Sequence, residues 1–207
     1  MAEKRPLGVG LLGVGLIGSR VASLLLEQAT ADALGRPIEL RKALVRRLDA
    51  PRDVALPEGV LTSDFTDVLD DDGIDVVVEV MGGEQPAADY LTRLLSKGTS
   101  VVTANKEAVS KHGPALRAAA CASGARLRFE ASVGGGIPII GPLQHDLLAN
   151  DISSVRAIIN GTTNYILTKM LQEGLAFRDA LAQAQELGYA EPDPANDIEG
   201  RDAAFKL

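Results

Sequence analysis

The chain has 207 residues, 46% apolar and 24% charged, with a net charge of −7 and no tryptophan. That length buries a sizeable core, as one large domain or two small ones, and the apolar share excludes a disordered chain. The acidic balance, the few aromatic rings and the lack of any basic run longer than Arg46-Arg47 exclude a nucleic-acid-binding class.

Residues 1–18 open with Lys4 and Arg5 and run on apolar, as a secretory signal would, but five glycines between Gly8 and Gly18 interrupt the run. No apolar stretch anywhere reaches the roughly 20 residues that cross a bilayer. A soluble protein without membrane association is expected. Residues 7–12 read as a buried strand. Gly13-x-Gly15-x-x-Gly18 then opens a helix with Val21, Leu24 and Leu25 on one face. Further strands are predicted over 38–45, 75–81, 100–103 and 126–130, with helices over 64–69, 86–96 and 106–122. Cys121 lies in the last of these, where it is expected to pack. A lone cysteine forms no intramolecular disulfide, which points to a reducing cytoplasm. Alternating helices and continuously apolar strands predict an α/β, Rossmann-type doubly wound parallel sheet over residues 1–131.

The organisation changes after Ala131. Gly134-Gly-Gly136 precedes Pro138, and the pattern predicts a helix over 138–149, a strand over 153–160 and helices over 163–173 and 178–187. Pro192 and Pro194 stiffen a loop carrying Glu191 and Asp193. A last helix starts near Ile198 and sets Asp202 and Lys206 four apart, on one face. Taken alone, that pair reads as a surface ion pair. Residues 132–207 are expected to form an α+β second domain that is incomplete at residue 207, because this helix meets no C-cap glycine.

The glycine pattern sits between a strand and a helix, the setting of a dinucleotide site. Gly13 permits the tight turn, Gly15 admits a pyrophosphate and Gly18 lets the helix pack closely, with Leu16 and Ile17 in the first helical turn. An acid at the end of the second strand would select NAD, but the chain reads Val45-Arg46-Arg47. Arginine pairs with a 2′-phosphate, so NADP is expected, while Asp49 keeps NAD open. Thr103-Ala-Asn105-Lys106 brings a hydroxyl, an amide and an ammonium to the carboxyl edge of the sheet. The plain alternative there is a helix start with Asn105 as N-cap and Lys106 exposed.

These motifs, with Glu130-Ala-Ser-Val-Gly-Gly-Gly-Ile-Pro138, Asn160-Gly-Thr-Thr-Asn-Tyr165, Gly188-Tyr-Ala-Glu-Pro-Asp-Pro194 and Asp202-Ala-Ala-Phe-Lys206, make the chain resemble homoserine dehydrogenase over essentially its whole length. The resemblance implies NAD(P)-linked interconversion of L-homoserine and L-aspartate 4-semialdehyde, on the way to threonine, methionine and isoleucine. It implies Lys206 as proton donor, with Lys106 as an auxiliary lysine near the nicotinamide and substrate. Glu191, Asp202 and Asp197 would hold the substrate ammonium. Gly161 and Thr162 would meet the substrate and Gly188 the cofactor. Glu130, with the carbonyls of Val133, Gly135 and Ile137, would hold a monovalent cation, usually sodium. The complete family enzyme is expected to be a homodimer and to continue well beyond this lysine. Phe205 departs from the polar or basic residue often found before it. Two other readings stay open: an inactive NADP-binding module, and a related oxidoreductase for another amino-acid aldehyde.

Overall fold

Leu11 and Leu12 are neighbours in the chain yet enter different cores, because successive side chains of a strand point to opposite faces. Leu12 packs with Phe65, Val68, Leu91, Leu94, Leu95 and Leu116, and Leu11 with Ala22, Leu40, Ala43 and Val60. A strand buried on both faces belongs in the middle of a sheet covered on both sides. The computed structural model, which describes residues 5–190 and 192–207, has this arrangement.

The strands are Leu7–Leu12 (β1), Ile38–Leu44 (β2), Leu61–Thr62 (β3), Val76–Glu79 (β4), Ser100–Thr103 (β5) and Leu127–Arg128 (β6). They form one sheet in the order β3-β2-β1-β4-β5-β6, and every pairing is parallel. The order reverses between β1 and β4, so the crevice outside their carboxyl ends is where a doubly wound sheet takes a ligand. The helices are Leu16–Leu26 (α1), Gln28–Leu34 (α2), Thr66–Leu69 (α3), Ala87–Lys97 (α4) and Lys106–Ser123 (α5). Leu91, Leu94 and Leu95 of α4 are wholly buried. Each such leucine contributes about 1.5–3 kcal/mol.

Inter-residue contacts divide the chain into one unit ending at Gly136 and a second beginning at Ile137. A 3₁₀ turn over Glu130–Ser132 stays with the first unit, where Ser132 is buried and its hydroxyl donates to the Phe129 carbonyl at 2.6 Å. The second unit holds helices Gly161–Glu173 (α6), Phe177–Glu186 (α7), Ala195–Ile198 (α8) and Arg201–Lys206 (α9). Its small core is Ile166, Ala180, Ala184 and Ala190.

Several expectations need correcting. The helix over 138–149 is instead centred on a π-helical turn, Pro142–Asp146, in which the Leu147 N–H reaches the Pro142 carbonyl at 3.0 Å. Pro142 has no N–H to donate and its ring crowds the preceding turn, which breaks a regular α ladder. Residues 153–160 form no strand, since the described residues of the second unit offer no strand to pair with. Cys121 is exposed, because α5 turns Ala108, Leu116 and Ala120 inward. Four elements are additional: the 3₁₀ turn, α2, which buries no residue, β3, which is two residues long, and α8, which ends at Ile198 so that the last helix, expected to start there, begins at Arg201 after Gly200 at φ +76°. Among the described residues no helix is long and apolar enough to cross a membrane.

Candidate active site

The glycine turn after β1 gives each glycine a separate reason. Gly13 has φ +95° and backs onto Met81, whose Cα would lie 3.1 Å from an added Cβ. An added Cβ on Gly18 would come within 2.0 Å of the Gly13 carbonyl oxygen, so only glycine lets α1 start this close to the turn. At Gly15 the same atom would meet nothing within 4 Å. That open side is the approach a diphosphate needs, and α1 starts there without a side-chain cap. Leu16 and Ile17 are exposed beside it, 77% and 59% respectively. This cradle fits a dinucleotide.

Arg46 is exposed just past β2. Its neighbour Arg47 faces Asp49 at 3.4 Å, and the Arg52 guanidinium holds the loop by donating to the carbonyls of Arg47, Leu48 and Ala50. At the end of β5 the Thr103 hydroxyl is turned inward. It donates to Glu79 Oε2 at 2.5 Å and accepts the Asn105 N–H at 3.0 Å. Asn105 caps α5, its Oδ1 accepting from the Ala108 N–H at 3.0 Å, and Lys106 begins the helix as an exposed residue. Sequence reasoning passed over Glu79, a single acid at the end of a valine run.

The second unit gathers the other predicted groups into an open cleft of about 680 Å³ lined by Asn160, Gly161, Thr162, Asp197, Asp202 and Lys206, among others. Lys206 Nζ lies 2.8 Å from Asp202 Oδ2 and donates to the Ile159 carbonyl at 2.6 Å. The pair is far from a surface one, with side chains 18% and 5% exposed. Asn160, which the sequence reading placed in a motif without giving it a role, joins the set. Its Nδ2 donates to Asp197 Oδ1 at 2.8 Å and to Asp202 Oδ2 at 2.9 Å, while its Oδ1 caps α6 through the Thr163 N–H at 2.7 Å. Thr162 donates to the Tyr189 carbonyl at 2.8 Å, which ties the start of α6 to the turn at Gly188, where φ is +75°. Lys169 also lines the cleft, and its hydrogen bond to Glu173 raises its pKa. Glu191 lies outside the described residues.

Asn160→Ala is expected to cost about 1 kcal/mol for the lost cap. A further 1–3 kcal/mol, roughly, should follow from the buried carboxylate losing a donor. Thermal denaturation checks this, and an unchanged Tm would show that the network does not hold α6 to α8 and α9.

The remaining predicted group follows the 3₁₀ turn. Glu130 starts it, Val133 follows it, Gly135 has φ +60° and Ile137 begins the second unit. The first unit thus carries one carboxylate and two backbone carbonyls of the expected set, oxygen donors of the kind a hard cation takes.

A family model described as homoserine dehydrogenase, NAD binding domain, matches residues 13–130, and one described as homoserine dehydrogenase matches residues 138–207. The homoserine dehydrogenase of Synechocystis sp. is 45% identical over 96% of this chain and 46% of its own length. That of Bacillus subtilis is 44% identical over 96% of this chain and 46% of its own length. The chain thus spans about half the length of the curated relatives it matches. Among solved structures, a homoserine dehydrogenase from Thiobacillus denitrificans aligns with TM-score 0.90 at 47% identity, over 98% of this chain and 47% of that one. A hyperthermophilic archaeal homoserine dehydrogenase in complex with NADPH aligns with TM-score 0.82 at 26% identity, over 98% of this chain and 67% of that one. With an NAD-binding unit built on the glycine turn and a lysine–carboxylate cleft in the unit that follows, the chain belongs to the homoserine dehydrogenase family.

Proposed function

We propose that this chain performs the NAD(P)-linked interconversion of L-homoserine and L-aspartate 4-semialdehyde. The observation that carries this reading is the Lys206 ammonium, held by Asp202 and the Ile159 carbonyl in the cleft of the second unit. In the reducing direction a nicotinamide cofactor, when bound, would supply the hydride that reduces the aldehyde carbon. Lys206 delivers a proton to the oxygen as negative charge builds there, and is reprotonated from solvent. Asp202 and Asn160 aim the ammonium, Asp197 and Glu191 meet the substrate's amino group, and Gly161 and Thr162 bound the substrate. Lys106 adds positive charge near the reacting centre, and Gly188 borders the cofactor. The test is the rate of cofactor reduction with L-homoserine against L-serine and L-threonine. Comparable rates with all three would favour an oxidoreductase of another specificity.

NADP is the preferred cofactor in this reading, supported by Arg46 and Arg47 where an acid would read the ribose. Arg46→Ala should weaken NADP⁺ binding about 10-fold, the value of one charge-assisted hydrogen bond, and leave NAD⁺ binding nearly unchanged. Equal losses for both cofactors in calorimetry would remove the argument. Glu130 with the carbonyls of Val133, Gly135 and Ile137 would hold sodium, which would brace the backbone of this segment. A homodimer fits the exposed Ile152, Val155, Ile158, Leu167 and Leu171 of the second unit, and a cytoplasmic location fits the free Cys121.

A further inference from the structure

Glu79 closes β4 with 0% of its surface exposed, and the chemistry above makes no use of it. Burying a carboxylate is costly unless donors surround it, and here three converge. Thr103 Oγ1 donates to Oε2 at 2.5 Å, while the Met81 N–H at 2.8 Å and Asn105 Nδ2 at 3.4 Å donate to Oε1. Each partner stands at the carboxyl edge of the sheet, Thr103 as the last residue of β5 and Met81 and Asn105 in the loops after β4 and β5. Met81 is the residue against which Gly13 of the glycine turn packs. Asn105 Nδ2 also donates to the Gly83 carbonyl at 2.7 Å, and its Oδ1 caps the helix that Lys106 begins. The loop after β4 and the loop after β5 are therefore joined by one side chain, and the glycine turn packs on the Met81 residue that this side chain holds.

The sheet order says which part of a ligand those loops serve. A dinucleotide lies across the switch point between β1 and β4. Its adenosine half falls on the β2 side, where Arg46 stands, and its nicotinamide half on the side of β4 and β5. We propose that Glu79 is a positioning residue for the nicotinamide half, holding the 81–83 and 103–106 loops in register with the glycine turn. The inference rests on dinucleotide binding by the first unit and not on turnover, so binding is what its test reads.

Calorimetric titration of the full chain with NADPH and with adenosine 2′,5′-bisphosphate separates the two halves. Glu79→Gln leaves one acceptor oxygen where the carboxylate had two, so either Thr103 or the Met81 and Asn105 donors lose their buried acceptor. NADPH affinity should then fall roughly tenfold, the effect of one misplaced hydrogen bond, and bisphosphate affinity should stay within about twofold. If both ligands weaken equally, or neither does, Glu79 is a structural group only and the proposal is overturned. Asn105→Ser guards against a variant that fails to fold. Serine keeps the cap of α5 but removes the donors to Glu79 and Gly83, so the same selective loss of NADPH is expected. A wild-type chain that binds neither ligand would overturn the dinucleotide reading, and this proposal with it.

Discussion

Lys206→Ala is expected to slow L-homoserine oxidation by about 10²–10⁴-fold, the range of a lost general acid–base group. NAD(P) affinity should change little, because the glycine turn and Arg46, the groups proposed to hold the diphosphate and the ribose, lie in the first unit. Some stability should go as well, since Asp202 is almost wholly buried and would keep Asn160 while losing its counter-charge. Lys206→Arg separates the two effects. Arginine preserves the positive charge beside Asp202 but does not release a proton at accessible pH. The ion pair and Tm should therefore survive while turnover remains close to that of the alanine variant. If Lys206→Arg turned over at the wild-type rate, Lys206 would act through its charge alone and the proton-transfer role would fall.

The second large effect is expected at Gly18, and Gly15 is its internal control. Gly18→Ala puts a methyl group 2.0 Å from a backbone oxygen that cannot swing aside, so α1 must move off the turn. Forced overpacking of this kind costs about 1–3 kcal/mol, and the displaced first turn should lose at least about tenfold in dinucleotide affinity. Gly15→Ala meets open space, so stability should stay within about 0.5 kcal/mol. Its methyl group nevertheless stands where the pyrophosphate approaches, and NADPH binding should weaken. NADPH titrations should thus show weaker binding in both variants, while only Gly18→Ala should lower the denaturation midpoint. A Gly15→Ala chain that binds NADPH as tightly as wild type would place the pyrophosphate elsewhere.

Much of the first unit is legible in the sequence because its signals are local. Apolar runs as short as Val76-Val77-Val78 mark strands buried on both faces, and glycine between a strand and a helix marks a turn whose geometry admits little else. Elements without such signals escaped. Helix α2 buries nothing, and β3 shows no alternation in two residues. The reading of 153–160 as a strand failed for another reason: apolar spacing shows which residues prefer an extended backbone, but a strand exists only where a partner accepts its hydrogen bonds. In the candidate site, the i, i+4 spacing of Asp202 and Lys206 foretold their contact. Nothing local could show that Asn160, 42 residues before Asp202, supplies both neighbouring carboxylates with a donor. Glu79 was hidden in the same way, because its partners Thr103 and Asn105 reach it only through the parallel pairing of β4 with β5.

The proposed reaction passes a hydride between a nicotinamide cofactor and the terminal carbon of a four-carbon amino acid. The most direct measurement supplies the chain with L-aspartate 4-semialdehyde and NADPH deuterated at the transferable position, on either face, and analyses the amino acid formed by mass spectrometry. One deuterium on the hydroxyl-bearing carbon of L-homoserine, from one face of the cofactor only, is the result expected. A chain that binds NADPH but yields no deuterated homoserine would contradict the account and leave a dinucleotide-binding protein without this reaction.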